Sequence, residues 1–199
     1  LIKALLFFIK RKKLKKKLKS KSNLRKRLRM YQIKINSTTG SELITNTDVK
    51  LFARIDTTAD DNLLDEMITT ARQNAENYLN SDIVAKNRTY YAAELHQRIE
   101  LPFSPVASIS SVTVDGSAAT YTAYGLDNNY IELDSLPAEE VKITYVTSGL
   151  SDGLIKQALL QMVTTYYDNR ADFSEVGNNI AEIPTSSKKL LSPFKRSFI

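Results

Sequence analysis

The amino-acid sequence predicts an α+β fold, in which a small helical bundle carries an inserted antiparallel β-module at about residues 83–147. Two observations carry this prediction. Long segments with helical periodicity occupy about residues 59–80 and 152–170, and a series of short runs rich in β-forming residues lies between them. A helix at about residues 47–55 and a short C-terminal helix complete the bundle. We expect the helices to pack on one another through their apolar stripes, with the β-module standing out from them.

Charge is divided unevenly along the chain. The 199 residues include 28 Lys and Arg against 22 Asp and Glu, a net charge of +6. Residues 1–30 hold 14 of the basic residues and no acidic one, so residues 31–199 combine the other 14 with all 22 acidic residues, a formal charge of −8. The sequence thus predicts a basic arm at 1–30 and a main domain at 31–199, which includes the β-insertion at 83–147 and a C-terminal tail at 184–199.

Three interpretations of the basic arm stay open. The first is a disordered tail, the second is the product of a start site assigned too early, and the third is a segment that binds nucleic acid or an anionic surface. Its apolar run, Ala4–Ile9, is shorter than the ~20 residues that span a bilayer, and its charges follow this run, unlike those of a signal peptide. If the arm binds an anionic partner, the contacts are expected from Lys10, Arg11, Lys12, Lys13, Lys15, Lys16 and Lys17.

The first two helices are predicted from apolar spacing and capping residues. Thr47 is the candidate N-cap of the first helix, and Thr58 that of the second. Acidic side chains at the start of the second helix compensate the helix dipole. Together with the next acidic residues they form a solvated face rather than a metal site: Asp60, Asp61, Asp65 and Glu66.

Five or six short strands are predicted between residues 83 and 147, each bounded by turn residues. The most ordered of these runs is IELPFSPVASISSVTVDG. Pro102 and Pro105 limit its place in a central ladder, because proline has no N–H to donate. We therefore expect an edge or a corner that leads into a strand at Ile109–Val114, closed by a turn at Asp115–Gly116.

The last long helix begins at Ser151 or Asp152, either of which can cap it. Near its end, Tyr166 and Tyr167 are expected to pack while their hydroxyls reach the surface. The chain then closes with SSKKLLSPFKRSFI, which predicts a short amphipathic element broken by Pro193.

Catalytic motifs are absent from the sequence. It contains neither a phosphate-binding GxxxxGK[ST] or GxGxxG loop nor HExxH or GxSxG. With no Cys and one His, a disulfide scaffold and a thiolate zinc site are excluded, and His-dependent catalysis would rest on His96 alone. His96 is expected to be structural or exposed, with no carboxylate close to it. We expect no enzyme, no cofactor and no metal.

An ordered set of segments resembles the head–tail connector (adaptor) family of tailed bacteriophages and prophages. The set comprises DVKLFARID, DDNLLDEMITTARQNAENYL, RIELPFSPVASISSVTVDG, VKITYVTSG, IKQALLQMVTTYYDNR and KKLLSPFKR, over roughly residues 44–196. Residues 1–29 are not part of the pattern, and the pattern does not place Tyr31–Thr45.

The resemblance implies a structural virion protein, made in the cytoplasm of a bacterial host and located in the neck between capsid and tail. It implies a homo-oligomeric ring of about twelve subunits, closed by head-to-tail contacts. The implied partners are the portal protein, the next neck or tail-completion protein and the DNA that passes through the lumen, with no membrane. Ring contacts are expected from the two long helices and the β-module. Portal docking is expected from Leu190, Leu191, Pro193, Phe194, Lys195 and Arg196.

Two other functions remain as alternatives. A nucleic-acid-binding protein would act through the basic arm, although the arm has no interleaved aromatic residues for base stacking. A β-rich interaction module would use residues 83–147 to meet a partner of another kind.

Overall fold

The computed structural model describes residues 31–169 and 185–196. The helices in these residues are α1 (Asn46–Ala53), α2 (Asp61–Leu79), α3 (Gly153–Asp168) and α4 (Thr185–Leu191), with a 3₁₀ turn at Ser192–Phe194. The strands are β1 (Tyr31–Thr38), β2 (Lys86–Leu95), β3 (Ile99–Glu100), β4 (Val106–Val114), β5 (Ser117–Ala118), β6 (Tyr121–Tyr124), β7 (Tyr130–Leu133) and β8 (Ala138–Thr147). The predicted α+β class is confirmed.

Helix α1 begins two residues earlier than the predicted cap allows. Its N-cap is Thr45, whose hydroxyl accepts a hydrogen bond from the Asp48 amide at 3.2 Å. The Thr45 amide in turn donates to the Asp48 carboxylate at 2.9 Å, which completes a capping box. The prediction of Thr47 as N-cap was therefore wrong, because the box needs its acceptor carboxylate at the third helical position.

Helix α2 is preceded by Asp60 rather than by the predicted Thr58. It ends at Asn80, which takes a left-handed conformation with φ of 53°. Helix α3 is capped by Asp152, as predicted, through a 2.8 Å bond from the Leu154 amide. The apolar stripes of α2 and α3 meet in one core, which also takes in residues of α1 and α4: Ile44, Val49, Leu64, Ile68, Ala71, Ala75, Leu79, Ile83, Ile155, Ala158, Leu159, Leu160, Met162, Val163 and Leu191.

The β-module consists of two antiparallel sheets, a five-stranded sheet in the order β1-β2-β8-β4-β5 and a three-stranded sheet in the order β3-β7-β6. Buried residues of both sheets form one cluster, so the sheets face each other across it: Tyr90, Ala92, Leu95, Leu101, Val106, Val112, Ile131, Leu133, Ala138, Val141, Ile143 and Tyr145. Residues 83–147 hold seven strands rather than the predicted five or six. The difference arises because β3 and β5 have only two residues each, too few for a sequence pattern.

Strand β1 lies outside the predicted insertion and still belongs to the larger sheet. It pairs with β2 in antiparallel register, with Tyr31 opposite Ala92 and Ile33 opposite Tyr90. The ring of Tyr31 stacks on Tyr90, with centroids 6.1 Å apart. The segment that the sequence left unplaced is therefore an edge strand of the sheet.

The proline-rich run IELPFSPVASISSVTVDG forms a corner, as predicted. Its prolines lie between β3 and β4, and the buried hydroxyl of Tyr145 donates to the Pro102 carbonyl at 2.7 Å. Strand β4 then runs from Val106 to Val114 and reverses at Asp115–Gly116, both of which have positive φ. This turn leads into the two-residue strand β5.

Candidate functional site

A buried ionic cluster joins the helices to the β-module. Glu76, near the end of α2, accepts hydrogen bonds from the amides of Ile83 and Val84 at 3.0 and 3.1 Å. Its other oxygen accepts from Arg72 at 2.9 Å and from Lys86 at the start of β2. One carboxylate thus fixes the helix end, the connecting segment and the first strand of the module.

Asp82 forms the second half of this cluster and is fully buried. Its carboxylate accepts from Lys86 at 3.1 Å, from Arg88 at 2.7 Å and from the Thr147 hydroxyl at 2.8 Å. The Arg88 guanidinium also lies 3.7 Å from the ring centroid of Phe103. Breaking a buried, hydrogen-bonded charge pair of this kind costs about 3–5 kcal/mol of folding free energy. The cluster therefore holds the helical core and the β-module in a fixed relation.

Sequence reasoning missed this cluster. The available signal was Lys86 and Arg88 at alternate positions of a strand, which places both cations on the same face of the sheet. Buried cations require buried anions, and Glu76 and Asp82 are the acidic residues that precede them in the chain.

The C-terminal tail is anchored across the same junction by Arg196. Its amide donates to the Leu79 carbonyl at 2.9 Å, and the Asn80 side chain donates to its carbonyl at 3.0 Å. Its guanidinium donates to Ser104 and Asp127, each at 2.7 Å. The end of the described chain therefore bridges the helical core and the loops of the β-module.

The residues predicted to dock on a portal all lie in this tail, and the structure divides them in two. Leu191 is fully buried, and Leu190 and Phe194 pack partly on the helical core. Pro193 and Lys195 are exposed, with the Lys195 ammonium 4.5 Å from the ring centroid of Tyr78. Because Arg196 is engaged in the bridge just described, the most accessible of the six candidate docking residues are Pro193 and Lys195.

Exposed apolar side chains also occur elsewhere in the described residues, notably on β1, on α1, at the start of α3 and at the hairpin between β6 and β7. On α1, Leu51 is 83% exposed and Phe52 is 41% exposed. At the hairpin between β6 and β7, Leu126 is fully exposed and lies between the half-exposed Tyr124 and Tyr130. Large apolar side chains that face solvent are characteristic of surfaces that meet another protein.

The outer face of the larger sheet is polar. A shallow groove of about 580 Å³ is lined by Gln32, Ile33, Lys34, Asn36, Thr89, Tyr91, Glu140 and Lys142. Several of its groups bond to one another: the Asn36 amide donates to Thr89 at 2.9 Å, and the hydroxyls of Thr89 and Thr144 lie 3.2 Å apart. These groups suit contact with a polar surface, and none of them forms a nucleophile–base pair.

The histidine prediction needs a correction. The expectation that His96 is exposed is met, but a carboxylate does lie beside it, since its Nε2 is 3.0 Å from Glu94. The two residues are two apart at the end of β2, so a strand places them on one side. Across the described ranges 31–169 and 185–196, no three His, Cys, Asp or Glu side chains group in a way that could hold a metal ion.

The basic arm cannot be located, because Lys10, Arg11, Lys12, Lys13, Lys15, Lys16 and Lys17 lie outside the described residues. Among the residues that are described, no helix has the length and hydropathy needed to cross a bilayer.

Comparison with known proteins gives a family match and several matches to solved structures. The model of the head completion protein family matches residues 42–196. The fold is similar to a chain in the neck of an empty gene transfer agent particle computed with C6 symmetry, with 15% identity, a TM-score of 0.64, and coverage of 84% of this chain and 97% of the other. A chain in the virion of the native gene transfer agent particle matches at 16% identity, a TM-score of 0.61 and the same coverage.

A third structure, the neck of the native particle computed with C12 symmetry, matches at 15% identity and a TM-score of 0.51, over 82% of this chain and 97% of the other. At these identities the matches establish a shared fold. No curated protein sequence matches the chain.

Proposed function

The chain belongs to the head completion protein family, and from this premise we propose that it is a structural subunit of the virion neck, located between capsid and tail. The observation that carries the proposal is the extent of the likeness. The family model covers the helical core and the β-module from β2 to β8, and the fold is shared with 97% of a chain from a particle neck. Such a subunit acts by contact rather than by catalysis.

The proposed assembly is a homo-oligomeric ring of about twelve copies. A closed ring needs two different surfaces on each subunit that fit each other head to tail. The exposed apolar residues at Leu51, Phe52 and Leu126 lie on separate elements, one helical and one in the β-module, and so supply distinct contact points. The buried cluster of Glu76 and Asp82 supports the proposal further, because a ring interface requires the two layers to keep a fixed relation.

The proposed partners are the portal protein and the next neck or tail-completion protein. Docking on the portal is assigned to the tail, through the exposed Pro193 and Lys195. The position of these two residues is then fixed by the packing of Leu190, Leu191 and Phe194 on the helical core.

The proposed lumen carries DNA past an acidic domain. Residues 31–199 have a formal charge of −8, and like charge weakens the attraction that phosphates have for a protein wall. DNA then slides without adhering. A map of an assembled ring tests this point, since an inner wall formed mainly by Lys and Arg of residues 31–199 would refute it.

Mass photometry of the 199-residue chain, with and without the portal protein encoded in the same genome, tests the function. We expect particles at one fixed multiple of the subunit mass, increased in number by the portal. A variant with Pro193→Asp and Lys195→Glu makes the exposed part of the tail acidic. It is expected to form rings but not to bind the portal protein. A chain that stays monomeric at every concentration, even with portal present, contradicts the proposal.

The alternative, nucleic-acid binding, has one specific observation in its favour, the 14 basic residues among the first 30. It predicts DNA binding whose affinity falls steeply with salt. Removal of residues 1–29 separates the two functions. A neck subunit keeps its rings and its portal binding after the removal, whereas a DNA-binding protein of this type loses its activity.

A further inference from the structure

The five-stranded sheet has two uncovered edges, one at each side. Strand β1 pairs only with β2, so its outer edge has no neighbouring strand among the described residues. On the far side, β4 pairs with β5 only at Thr113 and Val114. Residues 107–111 of β4 therefore have an outer edge to which no other described strand bonds.

The side chains of both edge strands are also largely exposed to solvent. No residue of β1 is buried, and Tyr31 and Ile35 are 60% and 49% exposed. In β4, five successive residues from Ala107 to Ser111 include none that is buried, although strands of a covered sheet alternate between buried and exposed. Within residues 31–169 and 185–196, a single copy thus leaves one edge of each of these two strands without a partner strand.

Folded proteins protect free edges with prolines, charges, bulges or a covering element. The two free edges of this sheet have few of these protective features. Bulges interrupt both strands, but neither β1 nor residues 107–111 contain a proline, and the only charged side chain in the two segments is Lys34. Small side chains dominate the β4 segment, ASISS, and allow another backbone to approach closely.

The directions of the two edges are complementary. Each neighbouring pair in the series β1-β2-β8-β4 is antiparallel, so β1 and β4 run in opposite directions. Rotation about an axis roughly along the strands preserves these directions. It therefore brings β1 of one copy against β4 of the next in antiparallel orientation, the pairing that free strands form most readily.

We propose that β1 of one subunit adds antiparallel to residues 107–111 of β4 in the next subunit, so that the sheet continues from copy to copy around the ring. The inference rests on the proposed ring and names its interface. The occupant is a second copy because one sheet supplies both edges on opposite sides, which is what a head-to-tail contact requires. Closure then pairs these two edges around the ring, in the way that a barrel removes its edges.

Disulfide trapping tests the pairing cleanly, because the natural sequence contains no cysteine. Four double variants of the full chain scan the register: Gln32→Cys or Lys34→Cys, each combined with Ser108→Cys or Ser110→Cys. Cβ atoms of directly opposite residues lie about 4.5–5.5 Å apart, near disulfide range, so at least one register is expected to crosslink. Mild oxidation of the assembled protein then gives a ladder of covalent multiples that reduction removes.

Single-cysteine variants form no species larger than a dimer, and the pair Gln97→Cys with Ser110→Cys, in which Gln97 lies on an exposed loop away from β1, gives no ladder. Negative-stain images of the same samples show whether rings are present. Rings without a ladder in any of the four registers overturn the sheet-edge interface and leave the ring itself standing. Absence of rings refutes the proposed function, and the interface with it.

A charge placed on the edge gives a second readout. Ser110→Lys is expected to reduce the ring population at least tenfold, while its circular dichroism and Tm stay those of the unmodified chain, because the side chain is exposed in one copy. Gln97→Lys adds the same charge elsewhere and is expected to retain the rings. Equal ring populations in the two variants would overturn the interface.

Discussion

At the scale of single residues, the molecule depends on carboxylates that organise several donors at once. Glu76 accepts hydrogen bonds from its own helix and from the start of the β-module, and Asp82 joins β2 to β8 within the larger sheet. Asp48 joins the start of α1 to Lys156 of α3 at 3.0 Å. Rules that use only neighbouring residues in the sequence predict only some of these contacts. They find a capping residue at Asp152, but not the bond from Arg196 to Asp127, because 69 positions separate the two residues in the chain.

The buried cluster predicts a large effect of Asp82→Asn. The change leaves the Arg88 guanidinium and the Lys86 ammonium without their shared anion in a buried site, so we expect a loss of about 3–5 kcal/mol in the free energy of unfolding. Urea titration followed by circular dichroism measures it. Glu66→Gln, an exposed position on α2, serves as control and is expected to change stability by less than about 0.5 kcal/mol. Equal losses in both variants would contradict the role of the cluster.

Asp48 predicts a specific pH dependence. Its pKa is lowered from 3.8 to about 2, first by the bond from the Thr45 amide and then by the bonds from Lys156 and the Thr45 hydroxyl. Because the pKa is depressed in the folded state, the carboxylate stabilises the fold fully above pH 3.8, and this stabilisation is lost as the pH falls through about 2. Asp48→Asn should therefore flatten the decline of stability between pH 4 and pH 2.

Denaturant unfolding at several pH values between 2 and 7 checks this expectation. Thr47→Ala, at the position that the sequence suggested as the cap, should keep the unmodified pH profile, since the hydroxyl that caps the helix belongs to Thr45. A profile of Asp48→Asn that follows the unmodified chain throughout would show that the carboxylate is not stabilised as the structure indicates.

At the scale of secondary-structure elements, the helices were predictable and the sheet only in part. Amphipathic periodicity is a local property, so α2 and α3 could be located to within a few residues. Strand pairing is not local. β1 lies opposite β2, about fifty to sixty positions further along the chain, and the alternation in YQIKINST was the one signal that could have indicated a strand there. The five-stranded order also brings β8 between β2 and β4, which no single segment encodes.

The passage from β8 into α3 gives a prediction at this scale. Gly149 has φ of +74°, and a Cβ there would lie 2.5 Å from the Ile83 carbonyl oxygen. Gly149→Ala is therefore expected to destabilise the fold by at least about 1–3 kcal/mol, the cost of the left-handed conformation alone. Gly153→Ala is the matched control, because nothing lies within 4 Å of its Cβ and alanine favours a helix.

Thermal unfolding of the two glycine variants provides the comparison. Gly149→Ala should lower the Tm, and Gly153→Ala should leave it unchanged or raise it. A Tm for Gly149→Ala equal to that of the unmodified chain would mean that the backbone at Gly149 does not approach Ile83 as closely as described.

At the scale of the whole molecule, the described residues form a helical core and a β-module, with exposed apolar side chains and two sheet edges that pair with no other described strand. The sequence indicated this kind of molecule mainly through what it lacks, namely catalytic motifs, and through its resemblance to connector proteins. The tail proposed to dock on the portal was chosen from its sequence, but the division between buried Leu191 and exposed Lys195 depends on tertiary packing. Interfaces between copies involve residues that are merely exposed in one chain, so neither the sequence nor a single subunit marks them directly.

The central claim, a ring subunit of the virion neck, is tested most directly by cryo-electron microscopy of the 199-residue chain bound to its portal protein. We expect a closed ring of identical copies beneath the portal, with this fold in each copy and the tail after Ser192 against the portal. Density for isolated copies bound without contact to one another, or no ring on the portal at all, would contradict it.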